Sequence, residues 1–339
     1  MAKYIDASDW NEMTWYNTGG TRDKSILQNP TTGEVYYFKT SLIKPGKEYI
    51  HEFWSEIIAS EIGRYLEFDL LIYDIAFHNN RIGCISKSMV KEGDNKLTEG
   101  ISYLKGYGNE YNPESRESKK EYTFQRIKST FRYFGLEESI YDIIKIIIFD
   151  SIIGNSDRHQ ENWGFILEYD SVISLKKNKL LRFMFRFFLL FKKENKKNIM
   201  DGILENPELF SKGKFAPIYD SGSCLGRELL DEKVSIMLKD NMQMKAYAYR
   251  GKSEIHWNGN KLKYTELIEN LLSEYSEFVI DTIQKLALKF EESDVRSIVE
   301  NIDLNLPIDK RQFKLPNERK KLIIKLISLR IEKLKEVIK

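Results

Sequence analysis

Cysteine is nearly absent: the 339 residues hold two, Cys84 and Cys224. With no CxxC and no Cys/His pair at ligand spacing, they exclude a disulfide scaffold and a structural zinc site, and they fit a reducing compartment, the cytoplasm. An excess of one charge is missing too. Lys+Arg 53 against Asp+Glu 51 leaves a formal net charge of +2, so the whole chain is no polycation for nucleic acid and any basic surface has to be local. No stretch reaches the roughly 18 uncharged apolar residues of a membrane span. The greasiest run, residues 180–191, carries Arg182 and Arg186. The opening MAKYIDASDWNEM sets acids and amides where a secretory leader needs an apolar run, so export by that route is not expected. Internal repeats are lacking as well. What remains is an ordinary globular composition, 42% hydrophobic and 31% charged, in a chain long enough for two lobes.

The lobes differ in pattern. Residues 32–42 (TGEVYYFKTSL) follow the turn-forming NPTTG and carry the β-branched and aromatic residues of a strand, and residues 70–90 hold two such runs split by Asn79-Asn80, a hairpin signal. Between them, residues 52–66 place Phe53, Ile57, Ile58 and Ile62 at helical spacing, with Glu56 near one edge of the stripe. From about 94 to 121 the chain turns polar and rich in Gly, Asn, Ser and Lys, which marks a connector. The helical period then takes over. Ile140, Ile143, Ile144, Ile147 and Ile148 repeat at i, i+3, i+4, i+7 and i+8, and Ile146 and Phe149 widen that stripe into a buried central helix. Residues 264–300 and 316–338 read as further amphipathic helices. The expected fold class is α+β, with a small β-rich lobe over residues 1–93 and a larger, mainly helical lobe over 94–339.

Directly after the isoleucine helix comes IIGNSDRHQENWGFILEYD, whose Asp157, Arg158, His159 and Asn162 lie between that helix and the alternating strand of Trp163, Phe165 and Leu167. A loop pinned by two core elements holds polar groups rigidly. An Asp followed five residues later by an Asn is the arrangement of a phosphotransferase catalytic loop, the Asp orienting the substrate hydroxyl and the Asn binding Mg²⁺. A second segment, FAPIYDSGSCLG, sets Asp220 at the end of an apolar run and before a Ser-Gly turn, the setting of a D-x-G metal carboxylate. Two oxygen ligands on separate loops suit Mg²⁺, which keeps waters and takes further oxygens from ATP phosphates. Lys39 lies in the middle of an otherwise apolar strand, where an ammonium needs a partner, and Glu56 on the following helix supplies it; such a pair holds ATP phosphates. Upstream, Gly19-Gly20 offers backbone amides ahead of a strand. The bland alternatives are a helix cap and a turn Asp for the loop residues, and a surface ion pair for Lys39 and Glu56.

The strings IGNSDRHQENWGF and APIYDSGSCL resemble the HipA-like serine/threonine kinases, whose signature runs GN-x-DRH-x-x-N and then P-I-x-D-x-G. The family's G-x-x-x-K-[ST]-x-L is matched by Gly20, Lys24, Ser25 and Leu27, and LPNERKKLIIKLISLRIEKL looks like its closing helix. The resemblance implies a bilobed protein-kinase-like fold that binds ATP and Mg²⁺ and phosphorylates a Ser or Thr of a protein substrate. By that likeness Asp157 becomes the catalytic Asp, and Asn162 and Asp220 become metal ligands. Lys39, paired with Glu56, would hold the ATP phosphates. Gly19, Gly20, Thr21, Arg22, Asp23 and Lys24 would form the phosphate loop, His159 would line the nucleotide site, and Ser88, Met89 and Val90 would form the hinge that receives adenine. Toxin-like action and autophosphorylation belong to the same family picture.

The chain departs from that picture in three places. The Ser that the family often phosphorylates, three positions before the glycine matched by Gly20, is here Asn17, with Thr18 and Thr21 the nearby hydroxyls. Longer members begin with an extra β-rich subdomain, which in some systems is a separate small protein; a small antitoxin-like or regulatory partner follows as an expectation. Asn162 and Asp220 should be joined by a short hairpin, yet an insertion of about residues 171–210 intervenes. Its centre, residues 174–198, holds nine basic residues against one acid, Glu194, around a leucine- and aromatic-rich middle. That composition suits a membrane surface, nucleic acid or an acidic partner, and equally a structural element packed on the lobe. Two rival functions keep the same motifs: a phosphoinositide-kinase-like lipid kinase docking through the insertion, and a pseudokinase acting as a binding module.

Overall fold

The computed structural model describes residues 1–14, 24–44, 47–108, 111–113, 115–169, 209 and 213–339. Its N-terminal part is a six-stranded sheet in the order β1-β7-β8-β4-β3-β2, built from β1 (Tyr4–Asp6), β2 (Asn11–Glu12), β3 (Lys24–Gln28), β4 (Val35–Lys39), β7 (Asp74–His78) and β8 (Arg81–Lys87). Only the β1–β7 pair is parallel. Local chemistry sets the turns. Asn79 and Asn80 both take positive φ, 47° and 57°, the conformation a two-residue hairpin needs to match strand twist. At the β3–β4 turn the Asn29 side chain accepts from Thr31 N at 2.9 Å, and Gly33 supplies the positive φ. A two-stranded hairpin, β5 (Ile43–Lys44) with β6 (Lys47–Glu48), precedes the helix α1 (Glu52–Tyr65).

The apolar stripe expected of α1 is broader than its spacing suggests: every residue from Glu52 to Gly63 is buried. The helix packs on β8 and on the helix Glu292–Glu300, and Trp54 Nε1 donates to Phe313 O at 3.0 Å, so no face is left to solvent. One apolar core therefore runs from the sheet through α1 into the helices beyond.

The second part is mainly helical. The polar stretch 94–121, expected as a connector, instead contains β9 (Asn95–Glu99), α2 (Gly100–Tyr107) and α3 (Arg116–Glu121). The strand forms because its partner, β10 (Gly164–Glu168), lies far along the chain and pairs antiparallel with it, while β11 (Gly213–Phe215) pairs with the other edge of β10. After α4 (Phe124–Phe134), the central helix α5 (Ile140–Ile153) is buried over most of its surface, as its isoleucines predict. The expected helix over 264–300 is two, Tyr264–Lys289 and Glu292–Glu300, and the C-terminal helix runs Asn317–Val337. Helices Asp231–Lys239 and Asn241–Tyr249 complete this part. The hairpin joining the two loop motifs exists as β10–β11, with Leu167 facing Gly213. The basic segment 174–198 falls between those strands and outside the described residues.

Candidate functional site

Lys39 ends β4 rather than occupying its middle, and its side chain is 9% exposed. The ammonium lies 3.3 Å from Glu56 Oε1 on α1 and 2.9 Å from Asp220 Oδ1. The ion pair expected from the sequence is thus a triad, one cation between two carboxylates. Lys24 pairs directly with Lys39 across β3 and β4, so two lysines share one face of the sheet. Gly83 makes room for this edge: a Cβ there would meet the Lys39 carbonyl oxygen at 2.2 Å.

Asp220 adopts φ 54°, uncommon for a non-glycine residue, and its neighbours hold it there. Asp220 N donates to the Tyr73 hydroxyl at 3.4 Å, and Ser221 N donates to Glu56 Oε2 at 2.9 Å. Farther along, Arg227 pairs with Glu52, so the segment after Asp220 is tied to the first and second turns of α1. Burial raises the Tyr73 hydroxyl pKa, keeping it a neutral hydrogen-bonding group beside this charge cluster.

The loop after α5 is organised around Arg158, a residue outside the expected site. It is 1% exposed, and all five guanidinium hydrogens have acceptors. Nε and Nη2 bind the two Asp150 oxygens at 2.9 Å each; Nη1 donates to Asn162 O at 3.0 Å and to Tyr219 O; Nη2 also reaches Ser221 Oγ at 3.0 Å. One side chain thereby joins α5, the loop and the Asp220 segment. Burial works against its charge, but Asp150's charge and hydrogen bonds outweigh burial and raise its pKa. Asn155 supports the same loop, donating from Nδ2 to Asp150 Oδ1 at 3.1 Å and accepting from Asp157 N at 3.2 Å. The sequence signal for this hub was Asp150, one of two acids in an isoleucine-rich helix and the one that directly follows the apolar run of residues 146–149.

On that frame Asp157 is exposed, with Oδ2 accepting from Ser223 Oγ at 3.2 Å. Asn162 is buried, its Nδ2 donating to Asp157 O at 2.8 Å. His159 is half-buried, and its described side-chain contacts stay within the loop: Glu161 N donates to Nδ1 at 3.3 Å. Ser88, Met89 and Val90 follow β8 and are half-buried. Ser88 N donates to Val35 O, and the Ser88 hydroxyl engages both Val90 N and Val90 O. Gly19, Gly20, Thr21, Arg22 and Asp23 lie outside the described residues. A further carboxylate, Glu99 at the end of β9, has its pKa raised by burial and then by the charge of Glu161, with Asp220 adding to the rise and Lys24 opposing it. Burial lifts the Cys224 thiol well above its usual range, which fits a packed residue rather than a reactive one.

The donor set suits a hard divalent cation. Asp220 offers a carboxylate, and Asn162, with Nδ2 committed to Asp157 O, keeps Oδ1 as an oxygen donor. One ammonium between two carboxylates also leaves a negative excess. Among the described residues no group of three or more His, Cys, Asp and Glu side chains could form an all-protein metal cage.

No protein-family model matches the sequence, and no curated protein does. Solved structures do. The crystal structure of the Helicobacter pylori proinflammatory kinase CtkA superposes with a TM-score of 0.71 at 17% identity, over 99% of this chain and 96% of that one. HipA of Shewanella oneidensis MR-1, solved with HipB and operator DNA, superposes with a TM-score of 0.51 at 12% identity, over 95% of this chain and 65% of that one. The chain therefore has the bilobed fold of these structures, with a β-sheet N-lobe and a helical C-lobe, in line with the HipA-like resemblance of its motifs.

Proposed function

We propose that this protein is an ATP- and Mg²⁺-dependent protein serine/threonine kinase of the HipA-like type. The observation that carries the reading is the buried Lys39 ammonium between Glu56 and Asp220, joined through Arg158 to the loop bearing Asp157 and Asn162. An apolar strand end does not need a lysine for stability; a triphosphate site does.

In this reading Lys39 and Lys24 neutralise the phosphates, and Asp157 accepts the proton of a Ser or Thr hydroxyl as that oxygen bonds to the γ-phosphorus and the bond to ADP breaks. Asp220 and Asn162 would hold Mg²⁺, which supplies charge neutralisation on the phosphates when bound. The phosphate loop over Gly19 to Lys24, the hinge at Ser88 to Val90, a nucleotide contact by His159 and the lobe boundary at residue 93 belong to the same proposal. So do a small antitoxin-like partner, supported by the HipB seen with the Shewanella neighbour, and a membrane or nucleic-acid contact through 174–198.

The test is incubation with γ-labelled ATP, Mg²⁺ and a host lysate, followed by phosphoamino-acid analysis of the labelled protein. Asp157→Gln is expected to lose transfer, by at least about 100-fold, while keeping nucleotide affinity. An Asp157→Gln enzyme with full activity would sink the assignment, and label on tyrosine would refute the Ser/Thr specificity.

A further inference from the structure

Arg158 fixes the backbone around Asp157, but none of its bonds reaches the Asp157 carboxylate. An exposed carboxylate on a fixed backbone still rotates about its side-chain bonds, and a base that works by position needs that rotation stopped. One side chain among the described residues does this. Ser223 Oγ donates to Asp157 Oδ2 at 3.2 Å. Ser223 is itself 5% exposed, and its backbone is locked to the same loop: Ser156 N donates to Ser223 O at 3.3 Å, and Leu225 N donates to Ile153 O at 3.0 Å. The hydroxyl is thus held by packing on a segment bonded to the loop on either side.

We propose that Ser223 is the positioning residue for Asp157. By occupying Oδ2 it leaves Oδ1, which accepts no bond among the described residues, to receive the proton of the substrate hydroxyl. Asp157 would then act through one oriented oxygen rather than two interchangeable ones. The inference rests on the kinase reading above, and it adds that the segment after the metal-binding Asp220 sets the geometry of the base as well as that of the metal site.

The experiment uses the full chain, γ-labelled ATP with Mg²⁺, and the lysate protein that the wild type labels most strongly. Ser223→Ala is expected to lower kcat about tenfold to 100-fold, with KM for ATP, the Kd of a non-hydrolysable ATP analogue and Tm all close to wild type. Ser223→Thr, which keeps the hydroxyl, is expected to recover most of that loss. A Ser223→Ala enzyme with wild-type kcat overturns the inference and leaves the kinase reading standing. So does a loss of nucleotide affinity that parallels the loss of kcat, the signature of a merely structural serine, and so does an absence of recovery in a Thr variant that binds the analogue normally. Wild-type protein that transfers no phosphate refutes the kinase reading and this inference with it.

Discussion

Arg158 sits where a lysine could not serve. Five hydrogens in a planar fork reach Asp150, Asn162, Tyr219 and Ser221, whereas an ammonium has three donors and no bidentate face. Because both Arg158 and Asp150 are buried, removing one partner strands the other. Arg158→Met is expected to cost about 3–5 kcal/mol in urea unfolding, and Arg158→Met combined with Asp150→Leu to recover part of it. A single variant within about 1 kcal/mol of wild type would show that the arginine is not the hub. The residues that resembled a kinase motif were legible because they sit at short fixed spacing. Ser221 and Ser223 were not, since what gives them a role is contact with Arg158 and Asp157, more than 60 residues earlier in the chain.

At the level of elements, the loop depends on how α5 ends. Gly154 closes the helix at φ 68°, and a Cβ there would lie 2.3 Å from the Arg330 guanidinium. Arg330 uses that close approach to donate to Ile152 O at 3.4 Å and to Ala248 O at 3.2 Å, serving carbonyls at two helix ends. Gly135, at the end of α4, has a matching φ of 73° with nothing within 4 Å of a built Cβ. Gly135→Ala should therefore show the backbone cost alone, about 1–2 kcal/mol, and Gly154→Ala that cost plus the clash. Thermal unfolding of the two variants compares them, and equal losses would rule out the Arg330 contact as the reason for the glycine. Elements with strong periodicity, such as α5, were legible from sequence. The strand β9 was not: its residues are polar, and it is a strand because β10 pairs with it.

Over the whole molecule, acid stability should follow two histidines, the half-buried His51 and the buried His256. Burial, followed by the charge of Arg319, lowers the pKa of His51 below its ordinary 6.5, with Asp231 opposing; burial likewise lowers that of His256, with Glu254 opposing. Below pH 6.5 the unfolded chain takes up protons that the folded chain resists. Stability is then expected to fall as pH drops from about 6.5 toward the folded-state values, and to level off below them. Tm measured from pH 7.5 to 5.0 should show that decline, flattened in a His51→Gln/His256→Gln double variant. An unchanged slope in the double variant would assign acid sensitivity to other groups. The core shared between sheet and helices makes such losses global rather than local to one lobe. No helix among the described residues is long and apolar enough to cross a membrane.

By itself the sequence determined what depends on neighbours a few positions away: the isoleucine period of α5, the Asn79-Asn80 turn, the Asp157-to-Asn162 spacing and the Asp220 motif. The tertiary structure alone decided that Lys39 answers to Asp220 as well as Glu56, that Arg158 joins three segments, and that Ser223 holds Asp157. Lys39 and Asp220 are 181 residues apart in the chain. A hydrogen bond requires its atoms within about 3.2 Å, and no local period carries that information, because it depends on how the whole chain packs.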